Sequence, residues 1–128
     1  MENQKTILVV EDEKSIRDGI VYVLRLKKFL TLEAGNGKEA IDMALANHPD
    51  LILLDLLMPE IDGVTALKKI REDAWGKDVP VIVLTNMSMN EEKLIEDIVA
   101  LKPLYYLIKV DWTFSAVAKK VEDALGKH

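Results

Sequence analysis

The sequence predicts an α/β domain with a five-stranded parallel sheet and helices on both faces. Three observations lead there. Five short apolar runs recur, at about 6–10, 30–34, 50–55, 80–85 and 104–108, each of strand length. Amphipathic segments with apolar residues three and four apart lie between them and after the last. Strand and helix alternate five times without a repeat, a low-complexity stretch or a linker, the pattern of a sheet covered on both sides. Right-handed crossovers then leave few topologies open.

The elements follow in order. Ile7-Leu8-Val9-Val10 is apolar throughout and reads as a strand buried on both faces. Lys14 to Lys27 carries Ile16, Ile20 and Leu24 at a four-residue spacing. Leu30-Thr31-Leu32-Glu33-Ala34 is the least apolar run and is expected at a sheet edge. Gly37 to Asn47 aligns Ala40, Ile41, Ala44 and Leu45 on one helical face. Leu51-Ile52-Leu53-Leu54 is bounded by Pro49 and Pro59, which confine it to a strand. Val64 to Asp73 is helical through Val64, Leu67 and Ile70. Val81-Ile82-Val83-Leu84 is a fourth apolar strand. Glu91 to Leu101 carries Leu94, Ile95, Ile98 and Leu101, with Asn90 as the expected N-cap. Tyr105-Tyr106-Leu107-Ile108 is the fifth strand, and Thr113 caps a last helix through Val117, Val121 and Leu125.

Composition bounds the function classes. The 128 residues suit one domain, 1–128, with 49% hydrophobic and 30% charged residues. A net charge of −5 without a basic cluster argues against direct contact with nucleic acid. Cysteine is absent, which excludes disulfides, thiolate chemistry and Cys-based zinc. No basic segment followed by an apolar stretch opens the chain, and no apolar run approaches the roughly 18 residues of a membrane span. A cytoplasmic location away from membranes is the expectation.

The chemistry collects at strand ends. In open α/β sheets the ligand crevice lies beyond the carboxyl ends of the strands. The first strand ends in Glu11-Asp12, the third in Asp55, the fourth in Thr85 and the fifth in Lys109. Three acids, a hydroxyl and an amine there make a site for a divalent cation and a phosphoryl group. Neighbouring carboxylates repel, and magnesium, which needs few protein oxygens, relieves that conflict. Lys109 and Thr85 can contact phosphoryl oxygens as cation and neutral donor, while Asp55 offers the attacking oxygen. Each residue also has a plainer reading. Glu11-Asp12 alone would be helix capping, Lys109 an edge lysine with its head in water, and Thr85 an ordinary strand residue. Their joint placement at successive strand ends is the specific signal. His48 reads as a solvated loop residue, and Met58, Met87 and Met89 as gap fillers. Trp112 fits a core, a hinge or a partner surface equally well.

On these residues the chain resembles a receiver domain of a two-component response regulator, similar to single-domain chemotaxis regulators. The matching stretches are Ile7 to Glu13, Ala34 to Ala40, Asp50 to Asp55, Met58 to Gly63, Val79 to Thr85 and Tyr105 to Lys109, which together span nearly the whole chain. The resemblance implies a flavodoxin-like doubly wound fold with strand order 2-1-3-4-5. It implies Asp55 as phosphoacceptor and a magnesium ion held by Asp12, by Glu11 through water, by Asp55 and by the carbonyl of Leu57. Thr85 is then the switch hydroxyl, Lys109 the phosphoryl partner, and Tyr106 the aromatic that turns inward on activation. A sensor histidine kinase or phosphotransfer protein would supply the phosphoryl group. A downstream target would read the surface of the fourth helix, fifth strand and fifth helix. The domain would catalyse only its own phosphorylation and dephosphorylation.

The chain departs from the family pattern at three places. Lys109 is followed by Val110-Asp111-Trp112, where relatives have proline, often after a cis bond, and the connection to the last helix is one residue longer. A cis bond at a non-proline costs about 3–4 kcal/mol, so the Lys109–Val110 bond is expected to be trans. Asn86 follows Thr85, where a small residue is usual. Leu57 stands two residues past Asp55; with Met87 it offers no hydrogen bond to a hydrolytic water, so a long-lived phosphorylated state is expected. Two other functions compete: a receiver-like docking module that is never phosphorylated, and an aspartyl-phosphate phosphatase. The complete acidic, hydroxyl and lysine set counts against the first. Leu57, where such phosphatases carry a second aspartate, counts against the second.

Overall fold

The computed structural model describes residues 4–58, 61–86 and 92–126, and of residues 92–94 the backbone alone. Five parallel strands form one sheet in the order β2-β1-β3-β4-β5. They are β1 (Thr6–Val10), β2 (Leu30–Ala34), β3 (Leu51–Leu54), β4 (Val81–Thr85) and β5 (Tyr105–Ile108). The helices are α1 (Lys14–Leu26), α2 (Gly37–Asn47), α3 (Gly63–Glu72), α4 (Glu92–Ala100) and α5 (Phe114–Ala124), and a 3-10 turn spans Lys109–Asp111. Each strand, and each helix the sequence predicts, is present within one or two residues. The least apolar strand, β2, is an edge strand.

Strand alternation builds two cores. Ile7, Val9, Leu51, Leu53, Ile82, Leu84 and Leu107 point to the face covered by α1 and α5, where Ile20, Leu24, Val117 and Val121 meet them. Leu8, Val10, Ile52, Leu54, Val81 and Val83 point to the opposite face, against Ala40, Ala44, Leu67, Ile70 and Ile98. The central strands β1, β3 and β4 are thus buried on both sides, which explains their unbroken apolar runs.

Helix ends show where side chains set the boundaries. Asn36 accepts the Glu39 N–H, Asp62 the Thr65 N–H and Thr113 the Ala116 N–H, at 2.9, 2.8 and 3.0 Å. The residue before α1, Glu13, makes no such bond. Asn90, the expected cap of α4, lies outside the described residues. Two expected core positions sit at the rim instead: Ile95 is 36% and Leu45 37% exposed. Their helices each press one narrow stripe on the sheet, and these residues lie at its border. No described helix is long and apolar enough to cross a membrane.

Candidate functional site

The strand order changes direction between β1 and β3: from β1 the chain goes to one side for β2 and to the other for β3. Register aligns the strands so that their carboxyl ends open at this place. Val10 pairs with Leu54, Leu54 with Val83, and Thr85 with Ile108. The ladder continues one residue past the ends. The Glu11 N–H donates to the Ala34 carbonyl at 3.0 Å, and the Asp55 N–H to the Val10 carbonyl at 3.1 Å. β3 therefore closes at Leu54, and Asp55 is the first residue beyond it, fixed by β1.

Glu11, Asp12 and Asp55 come together here. One carboxylate oxygen from each lies within 4.8 Å of the others. Asp12 is exposed, while Glu11 and Asp55 are 2% and 3% exposed. The Lys109 ammonium reaches both buried acids, 2.5 Å from Glu11 Oε1 and 3.0 Å from Asp55 Oδ2. Backbone donors hold the remaining oxygens: Glu13 N–H to Glu11 Oε2 and Leu57 N–H to Asp55 Oδ1, each at 3.1 Å. Glu11 thus organises its own loop and does not cap α1.

Charge is unbalanced at this site. Burial raises the Glu11 carboxyl above its ordinary pKa and outweighs the pull of Lys109, while Asp55 pushes it further up. Burial also works to lower Lys109, but hydrogen bonds and attraction from Glu11 and Asp55 prevail and hold it above its ordinary value. Both directions have one cause: two carboxylates out of water face one ammonium. Glu11, Asp12 and Asp55 could hold a cation there, with hard oxygen donors of the kind magnesium takes.

The other expected residues fall around this centre. Thr85, the last residue of β4, is fully buried. Tyr106 is half-buried against the α2–α3 core, and its phenol is raised above its usual pKa by burial and then by Asp55. Tyr105, one residue earlier, faces the other side beneath Lys120, whose Nζ is 4.3 Å from the ring centroid. Lys109 opens the 3-10 turn, the Trp112 N–H closes it on the Lys109 carbonyl at 3.1 Å, and the Lys109–Val110 bond is trans. The Val110 N–H donates to Asn86 Oδ1 at 3.3 Å. The Leu57 side chain is 50% exposed. Met87 lies outside the described residues.

The structure refines two readings of individual residues, and some contributors escaped the sequence reading. His48 is exposed but stacks on Trp75, with ring centroids 4.5 Å apart and planes 8° from parallel. Trp112 is a partly buried core residue packed under α1 and α5. Arg17 donates from Nη1 to the Glu11 carbonyl at 2.7 Å and from Nε to Glu33 Oε1 at 3.2 Å. A basic residue on the polar side of an amphipathic helix gives no sign of that role. Gly63 does carry a signal, following the cap Asp62: a Cβ there would stand 2.2 Å from the Asp55 carbonyl oxygen.

Known proteins resemble this chain in sequence and in fold. The model of the response regulator receiver domain matches residues 7–111. The transcriptional regulatory protein YdfI of Bacillus subtilis is 37% identical over 80% of this chain and 47% of its own length. The phosphate regulon transcriptional regulatory protein PhoB of Pseudomonas aeruginosa is 36% identical over 70% of this chain and 39% of its own. The chain thus spans less than half the length of these curated relatives. Chemotaxis protein CheY4 of Vibrio cholerae shares the fold, with a TM-score of 0.84 over 94% of this chain and 98% of that one at 23% identity. The receiver domain of sensor histidine kinase PA1611 from P. aeruginosa, solved with magnesium coordinated in its active site cleft, has a TM-score of 0.84 at 26% identity over 98% of this chain and all of that one. With the family match covering most of the chain and the acidic cluster seated where the paired strands β1 and β3 end, this chain belongs to the response regulator receiver domain family.

Proposed function

We propose that the chain is a phosphoryl-accepting signalling switch, loaded at Asp55 by a sensor histidine kinase or a phosphotransfer protein. One observation carries this reading: Lys109 binds Glu11 and Asp55 together, and Asp12 completes the acidic group beside them. Glu11, Asp12 and Asp55, with the Leu57 carbonyl, would hold magnesium, which supplies charge neutralisation for the phosphoryl oxygens. An Asp55 carboxylate oxygen bonds to phosphorus while the donor's P–N or P–O bond breaks, and the leaving group departs with that electron pair. Lys109 and the Thr85 hydroxyl then face the new phosphoryl oxygens. Thr85 and Tyr106 pass the change to the surface of α4, β5 and α5, where a target protein reads it. Val99 on α4 offers apolar contact there, at 64% exposed. The chain acts on no outside substrate beyond its phosphodonor, and a cytoplasmic setting agrees with such donors. The complete acid, hydroxyl and lysine set favours this reading over a docking module that is never phosphorylated.

Amide NMR tests the switch. With magnesium and a small acyl phosphate, resonances of Tyr105–Ile108, α4 and α5 should shift as well as those near Asp55. Shifts confined to the site, or none, would show a domain without a phosphorylation-driven surface change.

A further inference from the structure

The residue after Thr85 and the residue after Lys109 are joined by a hydrogen bond. Asn86 Oδ1 accepts the Val110 N–H at 3.3 Å. Val110 is the second residue of a 3-10 turn, where an N–H has no acceptor within the turn itself. Its side chain is 79% exposed, so packing does little to hold it. Lys109 opens the same turn and must keep its ammonium on Glu11 and Asp55. Its backbone is fixed on one side by β5, whose Ile108 pairs with Thr85. On the other side stands the Asn86 bond.

We propose that Asn86 is a positioning residue: by accepting the Val110 N–H it fixes the turn that aims Lys109 at Glu11 and Asp55. Two departures noted in the sequence then form one device. A proline after Lys109 would set its own φ but would carry no N–H. Val110 lacks that restraint and has the N–H, and Asn86 uses it. The bond also ties the loop leaving β4 to the loop leaving β5, so displacement of one is felt by the other.

The part of this inference that concerns phosphoryl transfer rests on the proposed function, so the test reads the turn separately. Asn86→Ala removes the acceptor, and Asn86→Asp keeps an oxygen at the same place. Both changes are at an exposed position and should leave the fold intact. Amide exchange of Val110 should be about 2- to 10-fold faster in Asn86→Ala, the range a single hydrogen bond supports, and near the parent rate in Asn86→Asp. The 15N NMR signal of the Lys109 ammonium, visible while its protons are held by the two acids, should weaken in Asn86→Ala and return in Asn86→Asp. Phosphate incorporation from a small acyl phosphate should slow by a similar factor in Asn86→Ala alone. Unchanged Val110 exchange in Asn86→Ala would overturn the inference. So would faster exchange with an unaltered Lys109 signal, which would make the bond a local brace. If the parent takes up no phosphate, the proposed function fails, and the Val110 and Lys109 readouts still decide the role of Asn86.

Discussion

Lys109 meets Glu11 and Asp55 where both carboxylates are nearly out of water. Its own side chain is 13% exposed, against 2% and 3% for the acids. Buried charges of this kind are costly to leave alone: removing one partner of a buried pair typically loses roughly 3–5 kcal/mol. The Lys109 ammonium compensates both acids, so it supports folding as well as its proposed contact with a phosphoryl group. Lys109→Ala should lower stability by about 2–3 kcal/mol in urea unfolding without added magnesium, less than the fully buried case because Lys109 keeps some water. Millimolar magnesium should restore part of that loss, since an ion bound by the folded acids stabilises the fold. Equal midpoints for parent and variant, with and without magnesium, would show that the acids are balanced some other way. Glu11, Asp12, Asp55, Thr85 and Lys109 were legible because each ends an apolar strand. Arg17 and Asn86 were not: what they do depends on backbone groups 6 and 24 residues away.

Among the elements, the β3–α3 connection positions Asp55 most directly. The first residue of α3, Gly63, donates its N–H to the Leu56 carbonyl at 3.1 Å and lies against the Asp55 backbone. An added Cβ would come 2.2 Å from the Asp55 oxygen and 2.7 Å from Leu56 Cα, and backbone at that distance has to move. Gly63→Ala should therefore lower the melting temperature, with a cost of about 1–3 kcal/mol as for overpacked sites, and should slow phosphate incorporation. An unchanged melting temperature would show that the connection accommodates the added methyl without cost. The strands were legible at this scale because prolines bound β3 and both faces of β1, β3 and β4 are buried. Of the helix caps, Thr113 was legible, while Asn36 and Asp62 emerged only from the structure. The start of α1 was legible at Lys14 from its apolar spacing alone, since its preceding acids serve the site and Glu13 makes no cap bond. The exposure of Ile95 and Val99 was also hidden: helical spacing identifies a face without fixing how wide a stripe the sheet will cover.

Over the whole molecule, the strand order decides that Glu11-Asp12 and Asp55 become neighbours. No strand's composition alone states that order. Alternation and crossover handedness narrow it, and the family resemblance completes it. At the end of the domain opposite the site, the Arg71 side chain binds several backbone carbonyls. Arg71 donates from Nε to the Leu101 carbonyl at 2.9 Å, and from Nη1 to the Gly76 and Val79 carbonyls at 2.9 and 2.6 Å. Its Nη2 reaches the Lys102 carbonyl at 3.3 Å. One guanidinium thus links the end of α3, the entry to β4 and the end of α4, and lysine lacks the planar fork to do the same. Arg71→Met should cost about 2–4 kcal/mol in urea unfolding, as several carbonyls lose a charged donor, and should speed amide exchange at the end of α4. A midpoint within error of the parent would remove Arg71 from the framework.

The proposed switch depends on Asp55 as the acceptor of a phosphoryl group in a magnesium-supported site. Intact-mass spectrometry after incubation with a small acyl phosphate measures this directly. The parent should gain the mass of one phosphoryl group with magnesium and none with a chelator. The adduct should survive acid and be lost in alkali, as an acyl phosphate is. Asp55→Asn, nearly isosteric, should fold and gain nothing. The same mass gain in Asp55→Asn, or none in a folded parent supplied with magnesium, would contradict the account.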